Sequence, residues 1–358
     1  MLLAAALLGL SGCAATHSAS PAQAWVYVAG AGNEIRVLNA TDLAVAGTLR
    51  VAGAPVAMAW DAAHARLWVA AAGADGRDGR LLALAGGSAR VASVLALGFN
   101  PRALRIAGGG LWIAGRDGGG GVLARLDLAS GQRRRMRLGR DPVALATSPA
   151  GTMLVADAGD RALYLVDARR LAPRARVPLA AAPAAVVALP YGHKAFVLCP
   201  AIAQVAAVDL ARAGVLAYLQ VGADPRRMAL KPDGGELYVS SFAAGTVSAI
   251  DTGANQVTDV MQVGRAPLGL AVSADDQWLY VANSGSNTVQ AISIDDRRIV
   301  SAIAVGMEPS DLELDGAGDL LFVEDRGSSD IGVIRTGPRN LLSLLPAAPN
   351  PTTMRVAQ

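Results

Sequence analysis

The side chains that most often carry out chemistry are scarce in this sequence. It contains three histidines, His17, His64 and His193, and two cysteines, Cys13 and Cys199. No CxxC, CxxCH or HExxH pattern occurs, so the sequence does not support covalent haem attachment or zinc-protease chemistry. These residues lead us to predict no metal site, no bound cofactor and no catalytic residue.

Arginine and acidic side chains in predicted turns are the remaining candidates. Arginine presents a planar fork of donors that matches carboxylate and phosphate groups, which indicates binding of an anionic ligand or an acidic partner. The alternative is that these charges pair with one another and keep the surface soluble. The candidate binding residues are Arg102, Arg116, Arg140, Asp157, Arg226, Arg227, Arg265, Asn283 and Asp325.

A repeat of about 42 residues places these candidates in the chain. Eight segments have the form of LYVAN (279–283), and their second residues are spaced by 41, 44 and then 42 residues five times. Eight prolines repeat with spacings of 46, 41, 41 and then 42 four times, and most close a Gly-x-x-Pro turn. Those second residues are Tyr27, Trp68, Trp112, Leu154, Phe196, Tyr238, Tyr280 and Phe322, and the prolines are Pro55, Pro101, Pro142, Pro183, Pro225, Pro267, Pro309 and Pro351.

Each repeat divides into four short strands, which is typical of a blade of a β-propeller. The first repeat lacks its proline-led first strand, and the segment from Pro351 supplies only that strand. Pairing of the two ends would close a ring of eight blades and remove exposed sheet edges. The segment near 341–345 is irregular, which leaves seven blades plus an appendage as the alternative.

In such a ring, the turns between strands four and one and between strands two and three share one face, which we call the upper face. The candidate arginines and aspartates fall on this face, at the mouth of the central tunnel, where propellers often bind ligands. His64 and His193 fall in turns on the opposite, lower face. A Ser-His-Asp triad or a histidine metal site is therefore not expected.

Charged residues also occur four positions after some of the prolines. Glu313 and Arg355 would lie in neighbouring blades across the ring closure. We predict a salt bridge that helps to seal the ring, with a site lining the tunnel as the alternative.

Two segments resemble the YVTN-type β-propeller repeat family, LYVANSGSNTVQAI (279–292) and ELYVSSFAAGTVSAI (236–250), each following a VGxxP turn. The match is sharp in these two repeats, fair in the four before them and weak at the ends. The resemblance implies an all-β propeller of the periplasmic or surface-layer kind. It implies no catalytic residues, because the repeat is a signature of the fold.

The first residues have the features of a targeting segment. The apolar run MLLAAALLGL (1–10) is too short for a permanent transmembrane helix and is followed by Ser11-Gly12-Cys13. This resembles the lipobox of bacterial lipoproteins, although no Lys or Arg precedes the apolar run. We predict a lipoprotein signal peptide over 1–12, a lipidated Cys13 with a flexible tether over 13–24, and one propeller domain over 25–358.

The predicted function is that of a non-enzymatic binding or scaffold module in the cell envelope. The lipid anchor makes the membrane one partner, and the protein is expected to be a monomer on the periplasmic side of the outer membrane, with the cell surface as the alternative. A net charge of +3 spread along the chain argues against nucleic acid as a partner. The alternatives are a lactonase-like or lyase-like propeller enzyme, or an accessory subunit or assembly factor of a periplasmic quinoprotein or haem redox enzyme.

Overall fold

The computed structural model describes residues 24–74 and 77–357. It consists of eight antiparallel sheets of four strands each, which pack face to face around a central axis. The expected eight blades are confirmed, and residues 340–346, where the repeat is irregular, form a regular fourth strand. The predicted signal peptide and Cys13 lie outside the described residues.

The strands are numbered along the chain. Blade 1 comprises β32 (Pro351–Ala357), β1 (Trp25–Gly30), β2 (Glu34–Asn39) and β3 (Ala44–Arg50). Blade 2 comprises β4 (Ala54–Asp61), β5 (Arg66–Ala72), β6 (Arg80–Ala85) and β7 (Val91–Ala96). Blade 3 comprises β8 (Asn100–Ala107), β9 (Gly110–Asp117), β10 (Gly120–Asp127) and β11 (Arg133–Arg137). Blade 4 comprises β12 (Pro142–Thr147), β13 (Thr152–Asp157), β14 (Ala162–Asp167) and β15 (Ala172–Pro178).

The other four blades follow the same order. Blade 5 comprises β16 (Ala185–Ala188), β17 (Lys194–Cys199), β18 (Gln204–Asp209) and β19 (Gly214–Gln220), with a 3-10 turn at Pro200–Ile202. Blade 6 comprises β20 (Pro225–Leu230), β21 (Glu236–Ser241), β22 (Thr246–Asp251) and β23 (Gln256–Gln262). Blade 7 comprises β24 (Pro267–Val272), β25 (Trp278–Asn283), β26 (Thr288–Ser293) and β27 (Arg298–Ala304). Blade 8 comprises β28 (Pro309–Leu314), β29 (Leu320–Asp325), β30 (Asp330–Arg335) and β31 (Asn340–Pro346).

The repeated aromatic position supplies the core between neighbouring blades. In seven blades this side chain is at most 1 % exposed, and Trp68 of blade 2 is 7 % exposed. Successive side chains of a β-strand point to opposite faces of the sheet. The second strand of each blade can therefore pack apolar side chains against both neighbouring blades. Burial of one such side chain stabilises the fold by about 1.5–3 kcal/mol. The second strands therefore hold the ring together.

The chain ends meet in one sheet. β32 pairs antiparallel with β1, from Trp25 opposite Ala357 to Gly30 opposite Pro351. The Thr352 hydroxyl also donates a hydrogen bond to the Ala29 carbonyl oxygen, at 3.2 Å. Blade 1 thus consists of the last strand of the chain and the first three, so the ring is closed by main-chain hydrogen bonds.

The outer strands show one departure from the repeat. In seven blades, the pairing of the third strand with the fourth contains a register irregularity of the kind that a β-bulge produces. The β10–β11 pair of blade 3 runs without one, from Val122 opposite Arg137 to Leu126 opposite Arg133. β11 has five residues, whereas the fourth strands of the other blades have six or seven.

The described part of the chain contains no helix with the length and hydropathy that a membrane crossing requires.

We predict that removal of residues 351–358 opens the ring. The truncated chain exposes the free edge of β1, so we expect loss of the cooperative melting transition or conversion to oligomers through that edge. Light scattering after size-exclusion chromatography and thermal melting measure the two effects. A chain shortened only by residue 358 is the control, and a monomeric truncation with unchanged melting would rule out the closure role of β32.

Candidate functional site

The upper face is formed as expected, because every second strand ends there beside the start of the first strand. Pro225 lies opposite Ser241 in blade 6, and Pro309 lies opposite Asp325 in blade 8. One depression on this face, of about 760 Å³, lies between blades 2 and 3. Another, of about 330 Å³, lies at the tunnel mouth and is lined by residues of blades 6, 7, 8 and 1.

The depression at blades 2 and 3 contains two predicted arginines. Arg102 and Arg116 both line it, and their guanidinium groups lie 3.4 Å and 3.9 Å from Asp141 Oδ1. Arg140 lies outside it, 80 % exposed, with Nε 3.2 Å from Asp160 Oδ1. These three arginines lie within ion-pair distance of aspartates, as expected if the surface charges pair with one another.

The tunnel-mouth depression contains the other pair of predicted arginines, and we call it the mouth site. It is lined by Arg226, Arg227, Leu268, Ser310, Glu324, Arg326, Pro351 and Thr352. Arg226 donates to Asp224 Oδ2 at 2.7 Å, and its guanidinium lies 5.2 Å from the centre of the Phe242 ring. Arg227 lies 3.8 Å from Asp311 Oδ2 and is more than half exposed. Arg265 is exposed on the same face but lines neither depression.

Glu324 and Arg326 are the charged residues of the mouth site that are not among the candidate residues, and Glu324 is the buried one. Its side chain is buried, with 2 % exposed. Oε1 accepts a hydrogen bond from the Ser310 hydroxyl at 2.7 Å, whereas Oε2 has no partner among the described residues. Seven blades carry Ala, Leu or Ser at this position of the second strand, so Glu324 stands out from the repeat and could have been found that way.

The surroundings of Glu324 favour a protonated carboxyl group. Burial raises its pKa to about 7, and the nearby Asp311 carboxylate adds to the rise. The Ser310 hydrogen bond and the charges of Arg227 and Arg326 act in the opposite direction. Near neutral pH this group can therefore either donate or accept a proton, and Oε2 is the atom that is left without a protein partner.

Three predicted rim residues are placed differently from expectation. Asp157, Asn283 and Asp325 lie at the upper ends of their strands, but their side chains are fully buried. Asp157 Oδ2 accepts hydrogen bonds from the amides of Arg140 and Asp141, at 3.0 Å and 3.1 Å, because the turn before blade 4 folds over it. Asp157 therefore holds the turn before blade 4 in place, and all three side chains are shielded from solvent at the upper face.

The residues of the ring closure form a direct contact inside the tunnel. Arg355 Nη1 of β32 donates to Glu313 Oε1 of β28 at 2.7 Å. Burial raises the pKa of Glu313 to about 7, and the charge of Arg355 opposes that rise. Burial lowers the pKa of Arg105, and the nearby charge of Arg355 lowers it further. The ion pair joins blade 8 to blade 1 and lies below the mouth site.

Cys199 and His64 are two further side chains of reactive types, and both have structural roles. Cys199 is fully buried, and burial raises the pKa of its thiol to about 11, so it is an unreactive core residue. His64 Nδ1 lies 2.8 Å from Asp61 Oδ2 on the lower face. Among the described residues, no three His, Cys, Asp or Glu side chains come together as a metal site would require.

We predict that Asp325→Asn stabilises the protein at alkaline pH. Burial, and the neighbouring Asp330, raise the pKa of Asp325 from the ordinary 3.8 to about 8. The folded protein therefore holds a proton that the unfolded chain has lost, and stability falls as the pH rises from about 4 through about 8. Asparagine resembles the protonated acid at every pH, so the melting temperature at pH 9 should rise by about 2–5 °C and stay unchanged at pH 4.

Melting curves across this pH range test the effect, with Asp259→Asn on the outer strand of blade 6 as the matched control. A melting temperature that changes equally at pH 4 and pH 9 would show that the Asp325 carboxyl does not titrate in this way.

Comparison with known proteins locates the chain among propellers. Residues 216–355 match the family described as Lactonase, 7-bladed beta-propeller, a range that includes every residue lining the mouth site. A search of curated proteins by sequence gave no match.

Three solved structures share the fold. Dihydro-heme d1 dehydrogenase NirN in complex with DHE superposes with a TM-score of 0.73 at 15% identity, covering 95% of this chain and 76% of that one. A functionally unknown protein from Desulfotomaculum acetoxidans gives 0.64 at 10% identity, with 94% and 99% covered. Hydrazine synthase of Kuenenia stuttgartiensis gives 0.62 at 17% identity, with 79% and 96% covered. At these identities the likeness extends to the fold alone, and the chain is an eight-bladed β-propeller with its C-terminal blades similar to the lactonase-type propellers.

Proposed function

We propose that this protein is a cell-envelope lipoprotein whose propeller binds a small anionic ligand in the mouth site. The observation that carries the proposal is the grouping of Arg226, Arg227 and Arg326 around one cavity of about 330 Å³. A cavity of that volume suits a small molecule, and arginine forks hold carboxylate or phosphate oxygens in a fixed geometry. An acidic side chain of a partner protein has the same chemistry and is the alternative occupant.

Two features of the mouth site support binding of a ligand with more than one polar group. The guanidinium groups of Arg226 and Arg227 are each about half exposed, and their acidic neighbours leave donors unused. Glu324 Oε2 is buried without a partner, and a buried carboxyl of this kind gains stability when a ligand supplies its missing hydrogen bond. The expected ligand therefore carries an anionic group next to a neutral oxygen or nitrogen atom.

A lactonase-type reaction is the second candidate function. The family match over residues 216–355 and the Glu324 pKa near 7 favour it, because a general acid or base works best when its pKa lies near the working pH. In such a reaction Glu324 would be the proton-transferring group, and the arginines would hold the carboxylate that ring opening releases. Acid release from a panel of lactones that Glu324→Gln abolishes would favour catalysis over binding alone.

We predict that Arg227→Gln and Arg326→Gln each weaken ligand binding at least about ten-fold, since each removes a charge-assisted contact. Isothermal titration of the purified protein with a panel of small carboxylates and phosphate monoesters measures the affinity. Arg265→Gln is the matched control, because Arg265 is exposed on the same face outside the site. If no member of the panel binds, or if the control loses as much affinity as the two variants, the small-anion proposal is wrong.

We predict that Cys13→Ser releases the protein from membranes. Loss of the thiol removes the only attachment point for the proposed lipid, and the described part of the chain has no membrane-spanning helix to replace it. Separation of membrane and soluble fractions, followed by immunoblotting, measures the distribution. Cys199→Ser is the control for cysteine loss as such. A Cys13→Ser protein that still sediments with membranes would contradict the lipid anchor.

A further inference from the structure

The outer edge of blade 3 breaks a pattern that the other seven blades keep. In each blade one residue of the fourth strand lies opposite the same position near the end of the third strand. In seven blades this residue is apolar: Val45, Val91, Pro173, Val215, Val257, Ile299 and Leu341. In blade 3 it is Arg133, opposite Leu126, in the strand pair that lacks the register irregularity.

In four blades the apolar residue packs against the core between its blade and the preceding one: Val91, Val215, Val257 and Leu341. In the other three blades it is exposed. An arginine cannot pack in this way without burying its charge, which is unfavourable. The core between blades 2 and 3 therefore lacks this cover at its outer edge, while Phe99 and Leu126 beneath it stay buried.

A slot of about 460 Å³ occupies this opening. Its lining is mostly apolar, and the apolar side chains that form it are Leu95, Leu97, Phe99, Ile113, Ala124 and Leu126. Ala124 contributes to the space, because blade 4 carries Tyr164 at the same register position and packs that ring into the next interblade core. Arg133 is a departure from the repeat, whereas a small residue at the position of Ala124 recurs as Ala206, Ser248 and Gly332 in blades 5, 6 and 8.

Two guanidinium groups lie at the mouth of the slot. Arg133 and Arg135 are opposite Leu126 and Ala124, so all four side chains are on the face of blade 3 that meets blade 2. Both arginines are exposed, and neither side chain makes a hydrogen bond or an ion pair with the described residues. Asp117, whose pKa is lowered mainly by its hydrogen bond with Arg137, also feels the charge of Arg135. Arg134 is on the other face and donates to the carbonyl oxygens of Arg169 and Arg170, at 3.0 Å and 2.6 Å.

We propose that the slot between blades 2 and 3 binds a single-chain anionic amphiphile of the fatty-acid class. Its hydrocarbon chain lies against Leu95, Ala96 and Leu97, the apolar lining residues that are partly or fully exposed to water. Its carboxylate lies between Arg133 and Arg135, which can each donate two hydrogen bonds to it. The volume suits one chain of medium length, and the guanidinium donors of both arginines are not used in a hydrogen bond or ion pair with the described residues. This site is separate from the mouth site and does not depend on the proposed function.

Isothermal titration with sodium dodecanoate, below its micellar concentration, tests the proposal. The protein is the chain with Cys13→Ser, so that no detergent competes. Dodecyltrimethylammonium has the same chain with the opposite charge, and propionate has the same head group without the chain. We expect dodecanoate to bind and both analogues to bind at least about ten-fold more weakly.

Two variants separate the slot from non-specific adsorption. Arg133→Val introduces the residue type of the other blades, and Ala124→Tyr introduces the residue of blade 4, so both are expected to fold with an unchanged or higher melting temperature. Each should weaken dodecanoate binding at least about ten-fold, whereas Arg298→Ala, on the outer strand of blade 7, should leave it unchanged. The proposal is overturned if dodecanoate does not bind, if the variants bind it as well as the parent, or if the protein binds only phosphatidylglycerol vesicles.

Discussion

The antiparallel pairing of β32 with β1 joins the first described strand to the last, and the packing of all eight blades relies on it. Each blade buries its two faces against its neighbours, so an open ring would expose the faces of two blades at once. The pairing also places Glu313 and Arg355 in register across the closure, where a charged pair can form inside the tunnel. The mouth site lies directly above that pair and includes Pro351 and Thr352 of the closing strand. The site and the closure therefore form together.

Three buried carboxyl groups with raised pKa values lie in blade 8. Glu313, Glu324 and Asp325 have pKa values of about 7, 7 and 8, in each case because burial disfavours the charged form. Glu313 has Arg355 as a direct partner, and Asp325 has the neighbouring carboxyl of Asp330. Glu324 differs from both, because it lines the mouth site and its Oε2 has no partner among the described residues. This difference separates a group available to a ligand from groups that serve the fold.

The period of the sequence predicted the strand order and the face on which each turn lies, because strand alternation and a fixed repeat length define each blade. The number of blades depended on the complementary chain ends as well, and the irregular segment near 341–345 left seven as the alternative until the structure showed eight. Burial at the strand ends was not predictable in the same way. Asp157 and Asn283 occupy the expected positions, yet the turns before their blades fold over them, and that depends on contacts between segments far apart in sequence. Glu324 and Arg133 differ from the equivalent residues of the other blades, and this can be read from the sequence. The cavities that they line are formed with neighbouring blades, so only the structure shows them.

The direction of β1 has a consequence for orientation. Trp25 lies at the lower end of this strand and Gly30 at the upper end, so the chain enters the propeller from the lower face. Eleven residues lie between Cys13 and Trp25, so an extended chain places the two at most about 40 Å apart. A lipid on Cys13 would thus be attached through the lower end of β1, whereas the mouth site opens on the opposite face of the ring. A ligand that enters the mouth site would then not have to pass the point of attachment.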